Sequence, residues 1–376
     1  MAISHKSAEL GKLVKAAGRG DVKAQFDLGM KHYYAKEVAQ DIDAAKKYLG
    51  MAAEQGHVEA LYQLSQIIEN HPRVLGNIHP LGEESEPTPT CEVTPPDPDP
   101  VLLMEKAANM GYVKAQCALA RHFFSRARKV SNLAWEESRE HEEPWECVID
   151  RPKYLYYLKT GWDWVAKAAK NGDSDAQYWL ASEYETGLLR LDTIIIESDM
   201  VKAAKWYKKS AASGHIDAQY KLGVCYEEGN GVAQDQAEAV KWYTNAATRL
   251  GRSEHRADAK YRLGLCYGNG NGVEQDFTKA LEWLQKAAEQ DNHTSAMFEL
   301  GHYFFRGRGV KEDETKAMAY WEAAAERGHL DAQTLVYSAY SCGETMEKNE
   351  DKAEMWRKRI EGIPIFEPNP IFDSNF

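Results

Sequence analysis

The feature that most limits this chain is a short pattern written eight times, opening on Asp-Ala-Gln-Tyr or a close variant and closing on Ala-Ala two to three dozen residues later. The clearest copy runs Asp217-Ala218-Gln219-Tyr220-Lys221-Leu222-Gly223. With Ala24, Ala60, Ala115, Ala176, Ala218, Ala259, Ala296 and Ala332 as anchors, the spacings are 36, 55, 61, 42, 41, 37 and 36. A period of this length belongs to a repeat fold, in which each unit buries its apolar face only against its neighbours. The core then grows with repeat number, so 376 residues need no division into separate globules.

Four residues past each anchor stand Leu28, Leu64, Leu119, Leu180, Leu222, Leu263, Leu300 and Val336, and two past it is an aromatic ring in six copies of eight. Offsets 0, 4 and 8 share one face of an α-helix. The second helix of each copy shows as Ala45…Tyr48…Ala52, Ala203…Trp206, Ala239…Trp242…Ala246, Ala280…Trp283…Ala287 and Ala317…Tyr320…Ala324. Small alanines there let large rings from the first helix approach closely. Between the paired helices lie Gly229-Asn230-Gly231, Gly270-Asn271-Gly272 and Gly307-Arg308-Gly309, followed by Asp235, Asp276 and Asp313 at the N-cap position of the next helix. These Gly-x-Gly elements follow a helix, lack the third glycine of a dinucleotide fingerprint and carry no Gly-Lys-Ser/Thr, so they are turns and not phosphate loops.

The Ala-Gln-Tyr-x-Leu-Gly start, the Gly-x-Gly-Val-x-x-Asp loop and the Ala-x-x-Trp-Tyr-x-x-Ala-Ala second helix resemble Sel-one-like repeats (SLR), relatives of the tetratricopeptide repeats. The resemblance implies an all-α fold: a right-handed α/α superhelix (solenoid) of about eight helix-pair repeats, with capping helices and loop insertions in repeats two to four. It implies an interaction scaffold and no catalytic residue. Residues 1–360 are then a single solenoid, with a capping helix at 1–20 and repeats at 21–57, 58–112, 113–173, 174–215, 216–257, 258–293, 294–329 and 330–360; residues 361–376 form a separate tail.

Three insertions break the pattern, all between paired helices. Residues 70–100 are Pro-rich and acidic and are expected to be loop. Residues 127–158 are acidic and aromatic, with Trp135 and Trp145 either packed on the neighbouring repeat or serving as anchors for a basic ligand. The apolar run Leu188 to Ile196 is expected to pack across the helix ends of its own repeat, because an exposed Ile194-Ile195-Ile196 would invite aggregation. The tail repeats Pro364-Ile365-Phe366 as Pro370-Ile371-Phe372 and is a cap or a docking peptide.

In folds of this kind the first helices line a concave groove, and offsets 3, 6 and 9 point away from the pair interface. Those positions give Trp179, Glu185, Lys221, Glu227, Arg262, His302 and Phe305 as candidate partner-binding residues, joined by the adjacent Arg306 and by Trp135 and Trp145 of the second insertion. Mixed charge with an occasional ring suits a peptide groove. No catalytic, cofactor or metal site is expected: there is no Gly-x-Ser-x-Gly and no His-Glu-x-x-His, and His57, His215 and His329 share one post-helix register. The net charge of −12 disfavours nucleic acid and anionic membrane and favours a basic protein partner. Six cysteines without a spaced framework suit a cytoplasmic protein with free thiols, and the first twenty residues contain no secretory apolar run.

The function expected is a non-enzymatic bacterial scaffold or adaptor that binds a protein partner, a peptide segment or a folded protein such as a basic toxin or effector, as a monomer or a weak homodimer through its end repeats or tail. A cytoplasmic immunity protein against a secreted toxin, and a self-assembling structural subunit, are the alternatives.

Overall fold

The computed structural model describes residues 2–36, 38–72, 97–141, 149–191, 193–251, 253–343 and 348–360. Most of the first insertion, Trp145 and the Pro-Ile-Phe tail lie outside these residues. Seventeen α-helices are present among the described residues, most of them thirteen residues long. The contacts divide the chain into two compact units, 1–198 and 199–376.

In the first unit α1 (Ala2–Gly18) is followed by α2 (Val22–Tyr34), α3 (Ile42–Glu54), α4 (Val58–Asn70), α5 (Pro100–Asn109), α6 (Val113–His141), α7 (Arg151–Lys170) and α8 (Ser174–Thr186). Each packs on its predecessor and successor. The second unit holds α9 (Met200–Ala212), α10 (Ile216–Glu228), α11 (Gln236–Thr248), α12 (Arg256–Asn269), α13 (Phe277–Gln285, continued by one π-turn at Lys286–Gln290), α14 (Thr294–Phe305), α15 (Glu314–Glu326), α16 (Leu330–Cys342) and α17 (Glu350–Ile360), again each on its neighbours in sequence.

The repeat accounts for the core. All eight anchor alanines and the apolar residues four positions on are buried, as are the second-helix alanines Ala45, Ala203, Ala239, Ala280 and Ala317. Close approach is set by the small residue five past the anchor. A Cβ on Gly223 would stand 2.6 Å from the Tyr243 ring, and one on Gly264 would stand 2.6 Å from Leu284. Asp235, Asp276 and Asp313 do cap the helices after them, each accepting a backbone N–H at 2.9–3.1 Å. In the Gly-x-Gly turns the first glycine takes the left-handed conformation, φ 77° at Gly229. The second is required by space as well, because a Cβ on Gly231 would collide with the Met200 carbonyl.

The second insertion agrees with the reading of a solvated helix, and the third does not form the covered run expected of it. Residues 127–158 chiefly lengthen two helices: α6 runs 29 residues and α7 runs 20, and they pack on one another over that length. The apolar run forms an antiparallel hairpin of β1 (Leu188–Arg190) and β2 (Thr193–Ile196), with Leu189 opposite Ile194. Only part of it is buried. Leu188 packs inward while Leu189 and Ile194 remain 56% and 65% exposed, which corrects the expectation that the whole run is covered. Period-2 alternation on a two-stranded ribbon sends every second side chain to solvent.

Candidate interaction surfaces

Much of the polar chemistry is engaged in joining one repeat to the next. The glutamine after the anchor reaches back to the helix before it: Gln25, Gln116, Gln177, Gln219 and Gln333 each donate from Nε2 to a carbonyl eight residues earlier, at 2.9–3.1 Å. The post-helix histidines are N-caps. His57, His215, His293 and His329 each accept the anchor alanine's N–H at Nδ1, at 3.1–3.3 Å. His57, His293 and His329 also stack on the ring two past the previous anchor, Phe26, Tyr261 and Phe298, with centroids 4.5–4.7 Å apart. Because Nδ1 of His293 is the acceptor, its Nε2 carries the proton and donates to Asp258, which His255 also contacts at 3.0 Å. Those two hydrogen bonds hold the Asp258 carboxyl well below the usual carboxylate range.

Several candidate groove residues meet one another. Glu227 accepts the Tyr243 hydroxyl at 2.5 Å and Arg262 at 3.2 Å, forming a half-buried node between α10, α11 and α12. Tyr243 is wholly buried, and burial together with the carboxylate on its hydroxyl pushes its ionisation far above the usual range. His302 lies edge-on to Phe298 at 4.7 Å and to Trp321 at 5.3 Å, and Phe305 packs on the same indole at 5.5 Å. Burial, reinforced by Arg306 and Arg308, lowers the His302 imidazole to about 4, so it is neutral at ordinary pH. Arg306 itself is exposed at the end of α14, Lys221 is half-buried, and both stand in the second unit. In the first unit Trp179 is 44% exposed with Glu185 half-buried further along α8. Trp135 is 53% exposed on α6, its ring covered on one side by Arg139 at 4.9 Å.

The thiols are poor nucleophiles in this setting. Burial, helped by the Asp173 carboxylate, pushes Cys117 up to about 12, and burial with Glu227 pushes Cys266 to about 11. Cys117, Cys266 and Cys342 are free thiols. No cluster of three or more His, Cys, Asp or Glu among the described residues could hold a metal ion, and no described helix is long and apolar enough to cross a membrane.

Five segments, residues 22–57, 174–215, 216–249, 257–292 and 294–329, match the family profile of the Sel1 repeat. This chain is a Sel1 repeat protein. No curated protein shows a significant sequence match. Among solved structures, a protective antigen present in uropathogenic Escherichia coli strains, displaying an SLR fold, aligns with a TM-score of 0.62 at 24% identity over 93% of this chain. The chain spans 63% of that protein's length. A Sel1 repeat protein from Oxalobacter formigenes aligns with a TM-score of 0.53 at 23% identity, over 93% of this chain and 85% of the other. The shared fold is the SLR solenoid, and Sel1 repeat proteins are in general protein-interaction scaffolds.

The matched repeats are those in which Gln, His and Asp perform these joining roles most regularly. The pairs α4/α5, α6/α7 and α16/α17 lie outside the match. Sequence reasoning passed over Tyr243 and the recurrent glutamine, although both were visible in register: Tyr243 follows the second-helix tryptophan, and glutamine follows the anchor in five copies of eight.

Proposed function

We propose that this Sel1 repeat protein is a non-enzymatic adaptor that holds a protein segment on the surfaces its repeats do not use internally. The observation that carries the reading is the division of labour among its polar side chains. Histidines, glutamines, capping aspartates and the Glu227–Arg262–Tyr243 node are engaged within the scaffold, while Trp135, Trp179 and Arg306 stay exposed. Exposed rings beside fixed charges are the composition of protein-binding hot spots. A reducing, cytoplasmic location belongs to this reading and is supported by the free thiols of Cys117, Cys266 and Cys342 among the described residues.

The test is photo-cross-linking in host extract from probes placed at Trp135, Trp179 and Arg306, with mass spectrometry of the products. A discrete protein partner cross-linked at one or more of these positions is expected. A secreted toxin as that partner would make the protein an immunity factor, and a multiprotein complex would make it an adaptor. Self-cross-links alone would replace the reading with that of a self-assembling subunit.

A further inference from the structure

The chain carries a net charge of −12, yet residues 121–131 hold four cations, Arg121, Arg126, Arg128 and Lys129, and not one carboxylate. This segment lies within α6, the helix that the second insertion lengthens. Helical spacing of four, three, four and three residues places Arg121, Ser125, Arg128, Asn132 and Trp135 on one stripe, and every one of them is exposed. At 1.5 Å per residue the stripe is about 21 Å long, four turns of helix. The opposite face, with Ala120, Phe123, Ala127 and Ala134, is buried, so the helix is held in place while its outer face is open.

Arg121, Arg128 and Lys129 pair with no carboxylate among the described residues, unlike Lys241, which pairs with Glu238, and Lys279, which pairs with Asp276. Arg126 is turned aside to His122 and the Tyr157 hydroxyl. The imidazole of His122 is lowered by its burial and by Arg126, with Lys129 adding to the effect and Glu69 and Asp99 opposing it. Residues 121–131 are therefore, among the described residues, a cluster of cations without paired carboxylates, bounded at its C-terminal end by the exposed Glu136 and Glu137 beside Trp135.

Building on the scaffold reading above, we infer that the outer face of α6 docks an acidic segment of a partner protein, with Arg121, Arg128 and Lys129 meeting its carboxylates and Trp135 its apolar anchor. Charge complementarity decides the sign, opposite to the basic partner that the whole-chain charge implies. Arginine and tryptophan together are the side chains most enriched where proteins dock.

Fluorescence anisotropy of the full chain with three labelled 18-residue helical peptides, of net charge −8, 0 and +8 and one leucine stripe each, tests the assignment. The −8 peptide should bind at least tenfold tighter than the others. Its affinity should fall about tenfold in the triple variant Arg121→Glu/Arg128→Glu/Lys129→Glu and about fivefold in Trp135→Ala, but less than twofold in Lys205→Glu/Lys208→Glu. All these side chains are exposed, so their replacement should leave thermal melting nearly unchanged. Preference for the +8 peptide, equal loss in the Lys205/Lys208 control, or displacement of the −8 peptide by an RNA duplex at lower concentration would each overturn the inference. So would a dimer in sedimentation that the triple variant dissolves, since the face would then serve a second copy of the chain. If cross-linking finds a partner but never through α6, the inference fails while the scaffold reading stands; if it finds only self-contacts, the scaffold reading fails.

Discussion

Residues 199–329 and residues 58–170 are made from the same pattern and use it in opposite ways. In the first stretch the anchors recur every 36 to 41 residues, and cap, stack, turn and bridge residues interlock from copy to copy. In the second stretch the spacing opens to 55 and 61 residues, two helices outgrow the repeat, and rings and cations stand in solvent. Regular copies convert chemically suggestive side chains into structure. Where a copy departs from the period, its added surface has no neighbouring repeat to cover it.

Substitutions matched across the two regions sharpen this contrast. The largest effect is expected at Gly231, where φ is 72° and the Met200 carbonyl fills the space of a side chain. Gly231→Val should lower the unfolding free energy by about 3 kcal/mol or more in urea titration. Ser125→Val, exposed on α6, should cost less than about 0.5 kcal/mol. Equal losses would erase the distinction.

Titration gives the second contrast. His302 has its folded value near 4, below an unfolded value of about 6.5, so between those pH values the unfolded chain binds a proton that the native one refuses. Stability should therefore rise with pH from 4 to 6.5, by roughly 1–3 kcal/mol from this group, and be complete above that range. His302→Asn should flatten the rise. His122→Asn, at a more open site on α6, should flatten it less. A slope that survives both changes would assign the dependence to other groups.

A smaller difference is expected at the tyrosines. Tyr243→Phe takes one donor from the half-buried Glu227 and should cost about 1–2 kcal/mol, while Tyr156→Phe, 59% exposed on α7, should cost less than about 0.5 kcal/mol. Smallest of all, Trp135→Ala should leave the melting temperature within about 2 °C of the parent. A marked fall would mean that its ring supports the fold and is not held out for a partner.

The all-α class, the anchor positions, the capping aspartates and the turn role of His57, His215 and His329 were legible because a repeated register removes ambiguity. Eight copies of Ala-x-x-x-Leu specify a buried face that a single copy could not. The insertions have no second copy. A solvated helix was legible in residues 127–158, but nothing there showed that Trp135 would stand in solvent while Ala127 and Ala134 continue the buried face of Ala120. The hairpin at Leu188–Ile196 escaped because apolar content suggests burial, whereas pairing dictates alternation.

The candidate groove was legible in register only. Offset 9 of one copy and offset 3 of the next do face each other, and Glu227 and Arg262 answer that proximity by pairing. Net charge misleads for a related reason. It sums over the chain and conceals a stretch of eleven residues on α6 without a carboxylate.

If the Glu227–Arg262 pair serves the fold while the outer face of α6 serves docking, two single substitutions measured in both assays separate the roles directly. Arg262→Met and Arg128→Glu should be compared for urea stability and for anisotropy with the −8 peptide. Arg262→Met is predicted to lose about 1–2 kcal/mol of stability and keep its affinity, through loss of the partner of a half-buried carboxylate. Arg128→Glu is predicted to keep its stability and lose affinity at least threefold. The reverse pattern, with binding lost at Arg262 and stability lost at Arg128, would contradict the account.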